Sequence, residues 1–136
     1  MTEAEKLCML EKECFSDPWS LTSLENQLAS PQTVYIIHEE EGGPAGYVLG
    51  TVVCGEAELY RIAVLDRFRR RGIGDRLMAE FLEECLTRSA EKVFLEVRSR
   101  NFSAISLYEK TGFERISVRK GYYGDDDAVI FAKILN

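Results

Sequence analysis

Two glycines and three arginines stand together near the middle of this 136-residue chain, in the segment Arg69–Gly74 (RRRGIG). Glycine lets the backbone approach a ligand closely and adopt unusual φ and ψ values. Where such a segment opens a helix, the free N–H groups of the first turn and the positive end of the helix dipole attract an anion. Arginine side chains add long-range attraction and direct pairing. The segment predicts a pyrophosphate site, with a solvated basic turn as the alternative.

The basic charge of the chain is concentrated around this segment. Residues 61–76 contain six arginines and two aspartates, a net charge of +4, whereas the remaining 11 basic and 21 acidic residues give −10. A local basic segment in an acidic chain favours one anionic ligand over a general nucleic-acid surface. We therefore expect no direct nucleic-acid binding through residues 67–76. The acidic remainder suits a cationic second partner, or simply a solvated surface.

Two titratable residues further along the chain could serve as proton acceptor and proton donor. Glu96 interrupts the apolar run 93–97 (VFLEV) at the carboxyl end of a predicted parallel strand, where open α/β sheets bind their ligands. Tyr108 shares a helix face with Ala104 and Ile105 that points toward the sheet, and a phenol of pKa near 10 stays protonated at neutral pH. A solvent-facing glutamate and a core tyrosine are the alternatives.

Other chemistries and other locations have little support in the sequence. There is one histidine, His38, and no C-x-x-C pair among the four cysteines, which argues against a zinc site and against histidine-dependent hydrolases. We expect reduced thiols and no metal. No apolar run is long enough to cross a bilayer, and the acidic residues 1–5 do not open a signal peptide. The sequence predicts a cytoplasmic protein without membrane contact.

The elements that position these residues follow from hydrophobic periodicity and capping signals. Helices are predicted at about 2–14, 20–28 and 74–88, and from Asn101 to Gly112. Strands are predicted at Thr33–Glu39, Ala45–Cys54, Glu58–Val64, Lys92–Val97, Phe113–Arg119 and Ala128–Leu135. The order ααβββαβαββ contains one βαβ unit between hairpins. We predict one α/β (α+β) domain over residues 1–136, with a mixed central sheet of six strands flanked by four helices.

These motifs together resemble the GNAT superfamily of N-acetyltransferases. Its phosphate-loop signature, R/Q-x-x-G-x-G/A, is matched by residues 69–74, and its second signature by residues 101–113 (N-x-x-A-x-x-x-Y-x-x-x-G-F). Within the superfamily the chain resembles the bacterial ribosomal-protein-alanine N-acetyltransferases. That closer match lies at 15–20 (F-x-x-P-W-S), 95–101 (L-E-V-R-x-x-N), 119–123 (R-x-x-Y-Y) and 127–128 (D-A). The resemblance covers nearly the whole chain.

The resemblance implies a GNAT fold and an enzyme that transfers an acetyl group from acetyl-CoA to an amine. It implies Glu96 as the proton acceptor and Tyr108 as the proton donor. The residues it places at the coenzyme are Ile62, Ala63, Val64, Arg69, Arg70, Arg71, Gly72, Ile73, Gly74, Asp75 and Asn101. The candidates for the acceptor groove are Pro18, Trp19, Tyr122 and Tyr123, with core packing as an equal alternative for Trp19.

The acceptor expected from the resemblance is the N-terminal α-amine of a protein, in particular the N-terminal alanine of a small-subunit ribosomal protein. An α-amine has a pKa of about 7.7–8.0 against about 10.4 for lysine, so it suits a single carboxylate base better. Another protein N-terminus, a small-molecule amine, or a coenzyme-A-binding module without catalysis are the alternatives. We expect a monomer.

The chain departs from the family pattern at three points, one of which is a compressed acidic stretch at 125–127 that predicts a shorter loop on the substrate side. The chain begins at the first helix, so that the opening strand usual in the family is missing from the prediction. Asp75 stands directly after the phosphate loop, where its carboxylate would oppose a pyrophosphate unless it points away.

Overall fold

Four helices and six strands make up the computed structural model, which describes residues 1–135. The helices are α1 (Glu3–Cys14), α2 (Leu21–Ala29), α3 (Ile73–Thr87) and α4 (Phe102–Lys110). The strands are β1 (Thr33–Glu40), β2 (Gly43–Val53), β3 (Glu56–Val64), β4 (Lys92–Arg98), β5 (Glu114–Arg119) and β6 (Ala128–Ile134). A short 3-10 turn, Asp66–Phe68, precedes α3. The predicted order ααβββαβαββ and the α/β class are confirmed.

All six strands belong to one mixed sheet with the order β1-β2-β3-β4-β6-β5. Within residues 1–135, β3 and β4 are the only parallel neighbours and are joined through α3, and the other neighbouring pairs are antiparallel. The predicted mixed sheet is therefore confirmed. The active end of such a sheet is the carboxyl end of its parallel strands.

Local capping signals explain where three of the helices begin. Thr2 and Glu5 form a reciprocal capping box at the start of α1. The Ser20 hydroxyl accepts a hydrogen bond from the backbone N–H of Ser23, and Asn101 Oδ1 accepts one from Ala104. These three caps agree with the sequence signals.

The strand β2 begins two residues earlier than predicted, because Gly43 and Pro44 already pair with the end of β1. Pro44 has no N–H to offer a second neighbour. None is needed, since the pairing of β2 with β3 starts only at Gly46.

The apolar core lies on both faces of the sheet. On one face α3 packs over β1, β2 and β3, where Met78, Phe81 and Val48 are fully buried. On the other face α1 and α2 pack over the same three strands through Leu7, Leu10 and other apolar side chains. On this second face α1 and α2 cover mainly β1, β2 and β3, so the same face of β4 and β6 is partly exposed. We call this partly exposed face of β4 and β6 the floor of the sheet.

The parallel strands β3 and β4 separate toward their carboxyl ends. Their ladder pairs 56–59 with 92–95 and stops there, although β3 continues to Val64 and β4 to Arg98. The edge of β3 that would face β4 is consequently unpaired over residues 62–64. This opening is the feature of the fold that makes room for a ligand.

Candidate active site

A cavity of about 430 Å³ lies beside the unpaired end of β3. It is lined by the end of β3, by the loop before α3 with the first residues of that helix, by one side of α4, and by the residues at the end of α1. The lining includes ten of the eleven residues predicted to bind the coenzyme, namely Ile62, Ala63, Val64, Arg69, Arg70, Gly72, Ile73, Gly74, Asp75 and Asn101. The structure therefore brings the two sequence motifs together around a single cavity.

The start of α3 differs from the start of the other three helices. Its N-cap is Gly72, in a left-handed conformation with φ of 76°, and no side chain caps this end. The first intrahelical donor is Arg76, whose N–H bonds to the Gly72 carbonyl. The N–H groups of Ile73, Gly74 and Asp75 belong to the turn that has no intrahelical acceptors. Because these residues line the cavity, their N–H groups are available to an anion there.

The three arginines of the loop make different contacts. The Arg69 guanidinium turns back, donating from Nε to the Val64 carbonyl at 2.9 Å and pairing with Asp66 at 2.7 Å. It braces the loop against β3. Arg71 is not among the cavity-lining residues, and its guanidinium lies 5.3 Å from the Phe68 ring centroid. Arg70 lines the cavity without such a brace, which makes it the loop arginine best placed to meet a phosphate.

The carboxylate of Asp75 is neutralised by a lysine on another helix. Lys110 Nζ lies 3.0 Å from Asp75 Oδ1, and both residues line the cavity. Sequence reasoning missed Lys110, because the two residues are 35 positions apart and only the packing of α3 beside α4 joins them. The negative charge of Asp75, which would oppose a pyrophosphate, is therefore balanced by the Lys110 ammonium at the edge of the same cavity.

The Asp75→Asn variant should show opposite effects on binding and stability. We expect coenzyme A to bind roughly threefold to tenfold more tightly, since Lys110 is freed and a negative charge is removed beside the phosphates. The free energy of unfolding of the unliganded protein should fall by about 0.3–1 kcal/mol, because a carboxylate in the first turn stabilises a helix.

Calorimetric titration at two salt concentrations checks the binding effect, which should shrink as salt screens the charges. The matched control is Glu84→Gln, which removes the partner of Arg88 at the other end of α3. A coenzyme affinity that does not change in Asp75→Asn, or that changes equally in the control, contradicts the role assigned to the pair.

Glu96 lies near the carboxyl end of β4, on the partly exposed floor. It pairs in register with Ile130 of β6, and its Oε1 lies 3.2 Å from Nη1 of Arg119 on β5. The Arg119 guanidinium in turn lies 4.1 Å from the Tyr122 ring centroid. Arg119 was part of a recognised motif but had no assigned role. The structure shows that it links the carboxylate to the predicted acceptor-groove tyrosine.

The surroundings of Glu96 are partly enclosed and carry charges of both signs. Burial, and then the charge of Glu96, raise the pKa of the Glu58 carboxyl on β3. Burial followed by the same charge raises the pKa of the Tyr123 phenol. Tyr123 packs edge-on against Tyr122 at 5.1 Å. Arg119 beside Glu96 and Arg98, 4.2 Å from the Tyr123 ring centroid, offset the two carboxylates.

Tyr108 is buried on the inner face of α4. It packs against Phe113 at 5.9 Å and Phe131 at 6.2 Å between ring centroids. Burial raises the pKa of its phenol above the ordinary value of 10.0. The hydroxyl therefore stays protonated throughout the neutral range. Tyr108 itself does not line the 430 Å³ cavity, although Ala104 and Leu107 of the same helix do.

The loop between α1 and α2 forms a further wall beside the cavity. Phe15 and Cys14 line the cavity, which sequence reasoning did not predict. Trp19 is half-buried, lies 5.8 Å from Tyr60 between ring centroids and packs against the core under α1 and α2. Pro18 is exposed.

Among residues 1–135, no group of three or more His, Cys, Asp or Glu side chains could hold a metal ion. The four cysteines are free. None of the described helices is both long enough and apolar enough to span a bilayer.

The chain belongs to the acetyltransferase (GNAT) family, whose model matches residues 4–113. The protein is accordingly an N-acetyltransferase, and the family uses acetyl-CoA as the acetyl donor. The family resemblance inferred from the motifs is confirmed.

Relatives and solved structures agree with this membership. The chain is 34% identical to the ribosomal protein bS18-alanine N-acetyltransferase of Salmonella typhimurium, over 96% of this chain and 90% of that protein. It is 35% identical to the N-alpha-acetyltransferase RimI of Mycobacterium tuberculosis, over 89% of this chain and 78% of the relative. The crystal structure of the ribosomal-protein-alanine N-acetyltransferase of Escherichia coli superposes with a TM-score of 0.90 at 29% identity, covering 98% and 88% of the two chains.

Proposed function

We propose that this protein acetylates the N-terminal α-amine of a protein, and that its main acceptor is the N-terminal alanine of a small-subunit ribosomal protein. The observation that carries the proposal is the opening between β3 and β4, with the uncapped start of α3 at one side and Glu96 at the floor on the other. The alanine acceptor is supported by relatives that match nearly the whole chain and are ribosomal protein bS18-alanine N-acetyltransferases.

The residues around the cavity fit acetyl-CoA. The free N–H groups at 73–75, with Arg70 and Lys110, would hold its pyrophosphate. The unpaired edge of β3 at 62–64 offers backbone groups to the amide-containing arm. When bound, acetyl-CoA supplies an acetyl thioester whose carbonyl carbon is open to attack by a neutral amine.

Two side chains of the chain carry the proton transfers in this proposal. Glu96 takes a proton from the acceptor ammonium or from the attacking amine, directly or through a water. Tyr108 supplies the proton that neutralises the departing sulfur. Arg119 holds the Glu96 carboxylate at 3.2 Å and so fixes the direction of its lone pairs. The two groups lie on different elements, β4 and α4, as an acceptor and a donor on opposite sides of a reacting centre require.

Membership of the acetyltransferase (GNAT) family supports an amine acceptor, and the pKa of that amine selects its type. The difference between an α-amine and a lysine amine is worth about 3.4 kcal/mol in the cost of deprotonation at neutral pH. A single partly exposed carboxylate gives little help in paying this cost. The α-amine is therefore the acceptor that this site handles best.

A panel of short peptides tests the proposed acceptor. Peptides beginning with Ala, Ser or Met, a matched peptide with a blocked N-terminus, and one with a blocked N-terminus plus an internal Lys are compared by the release of free thiol from acetyl-CoA. We expect kcat/KM for the Ala peptide to exceed that for the blocked Lys peptide by at least about a hundredfold. Equal rates on the two would contradict α-amine transfer. A higher rate on a small-molecule amine than on any peptide would contradict the protein acceptor.

A further inference from the structure

Glu11 is a fully buried carboxylate on α1 that neither the coenzyme cavity nor the proton transfers use. Its Oε1 accepts a hydrogen bond from the backbone N–H of Trp19 at 2.8 Å and lies 3.2 Å from Nη1 of Arg61. Its Oε2 accepts a hydrogen bond from the Tyr47 hydroxyl. Burying a charge is costly unless it is paired and hydrogen-bonded, and Glu11 has three such partners.

Arg61 extends this cluster into the loop between α1 and α2. Its Nη2 donates to the backbone carbonyl of Asp17 at 3.2 Å. Its guanidinium carbon lies 4.2 Å from the Phe15 ring centroid and 5.8 Å from that of Trp19. The loop at residues 15–19 is thus held at its start, its middle and its end by one arginine and one glutamate.

The loop at residues 15–19 borders the coenzyme cavity and contains Pro18 and Trp19, two of the candidates for the acceptor groove. Phe15 lines the cavity. Asp17, in the middle of the loop, is bound through its backbone carbonyl to Arg61. Trp19 closes the far end against Tyr60.

We propose that Glu11, Tyr47 and Arg61 form a positioning cluster that fixes the loop at residues 15–19 as one wall of the acceptor groove. The cluster sets the affinity for the acceptor without touching the reacting atoms, and it rests on the proposed function for the identity of that acceptor. Its polar bonds end on backbone atoms of the loop, the N–H of Trp19 and the carbonyl of Asp17. Apolar packing would stabilise the fold as well or better, but it would not fix those atoms.

The hydrogen bond from Tyr47 persists at all neutral pH values. Burial, and then the Glu11 carboxylate beside it, raise the pKa of the Tyr47 phenol far above its ordinary value of 10.0. The phenol therefore remains a donor, and Glu11 remains oriented toward Trp19 and Arg61.

Steady-state kinetics of Glu11→Gln and Tyr47→Phe test the cluster with any acceptor that the wild type acetylates. We expect KM for the acceptor to rise about tenfold in Glu11→Gln and about threefold in Tyr47→Phe, the sizes expected for a weakened buried pair and a single lost hydrogen bond. KM for acetyl-CoA and kcat should stay within about twofold of the wild type. Tyr47→Phe is the milder change and keeps the test available if Glu11→Gln does not fold.

The matched control is Thr33→Val, which also removes a buried hydroxyl. Thr33 donates to the carbonyl of Gln27 at 2.6 Å, between α2 and β1, away from the loop at residues 15–19. This variant should lower the melting temperature and leave KM for the acceptor unchanged. Equal increases in both KM values, or an increase in the control, would mean that the cluster only stabilises the fold.

A fluorescence readout separates this inference from the proposed function. Trp19 is the only tryptophan of the chain, so its emission reports on the loop without any acceptor present. We expect Glu11→Gln and Tyr47→Phe to shift the emission to longer wavelength and to increase quenching by acrylamide, with no change in Thr33→Val. Unchanged emission in both variants overturns the cluster. A wild type inactive on every peptide contradicts the proposed acceptor instead, while the emission still decides whether the cluster holds the loop.

Discussion

Replacing Glu96 by glutamine should lower kcat by about 10²–10⁴, the range that a positioned general base contributes. Glutamine keeps the length of the side chain and an oxygen that can accept from Arg119, 3.2 Å away in the wild type. It cannot take up a proton. The Kd for coenzyme A should remain within about twofold, because Glu96 is not among the residues that line the coenzyme cavity.

The pH dependence of this variant provides an independent check. Without the base, the rate depends on the fraction of acceptor amine that is already neutral. That fraction rises about tenfold per pH unit until the α-amine pKa of about 7.7–8.0 is passed. The deficit of Glu96→Gln relative to the wild type should therefore shrink between pH 6.5 and pH 9, the range over which stopped or continuous thiol assays are practical.

Glu58→Gln is the matched control for the base. Glu58 is also a carboxylate near the floor of the sheet, close enough for the Glu96 charge to raise its pKa. Its loss should change kcat by less than about threefold, since no motif or contact places it at the reacting centre. A large loss in Glu58→Gln with an active Glu96→Gln would transfer the role of the base to β3.

The second large effect is expected for Tyr108→Phe, with kcat lowered by about 10²-fold or more through slower departure of the thiol. The change removes one hydroxyl and keeps the ring that packs against Phe113 and Phe131. The fold should therefore persist. A donor that helps only the leaving group matters less as the thiol becomes more acidic, so a thioester of a more acidic thiol should recover activity. Tyr35→Phe on β1, three strands away from β4, is the matched control.

Tyr108 also predicts the alkaline side of the pH profile. Burial raises the pKa of its phenol above 10.0, so the proton is retained as the pH rises through the neutral and mildly alkaline range. The wild-type kcat should show no decline between pH 7 and pH 10 from loss of this donor. A decline with an apparent pKa near 9 that disappears in Tyr108→Phe would mean that the phenol is not held in an apolar site.

The parts of the fold and site that the sequence predicts well are those with local signals. Thr2, Ser20 and Asn101 cap helices where they were expected to, because a cap depends on residues within one turn. The phosphate loop and Glu96 lie at the carboxyl ends of the two parallel strands, because the βαβ connection brings those ends together. The roles of Glu96 and Tyr108 stay predictions.

The contacts that the sequence could not predict join residues far apart in the chain. Lys110 on α4 pairs with Asp75 on α3. Arg119 on β5 pairs with Glu96 on β4, although the strand β6 lies between β5 and β4. Neither pair has a spacing rule. Glu11 is different, since it stands four residues after Leu7 on the inner stripe of α1. A charged residue on the apolar face of a helix indicates a buried polar network, so Glu11 could have been predicted from the sequence.

The short ladder between β3 and β4 has a consequence for how the molecule moves. Among the described residues, four pairs between β3 and β4 join one half of the sheet, formed by β1, β2 and β3, to the other half, formed by β4, β6 and β5. The helix α3 connects the two halves along the chain. Local opening costs less free energy where fewer hydrogen bonds hold two segments together. Amide exchange at the residues of β3 and β4 beyond the four pairs should therefore slow when a ligand occupies the cavity and adds contacts there.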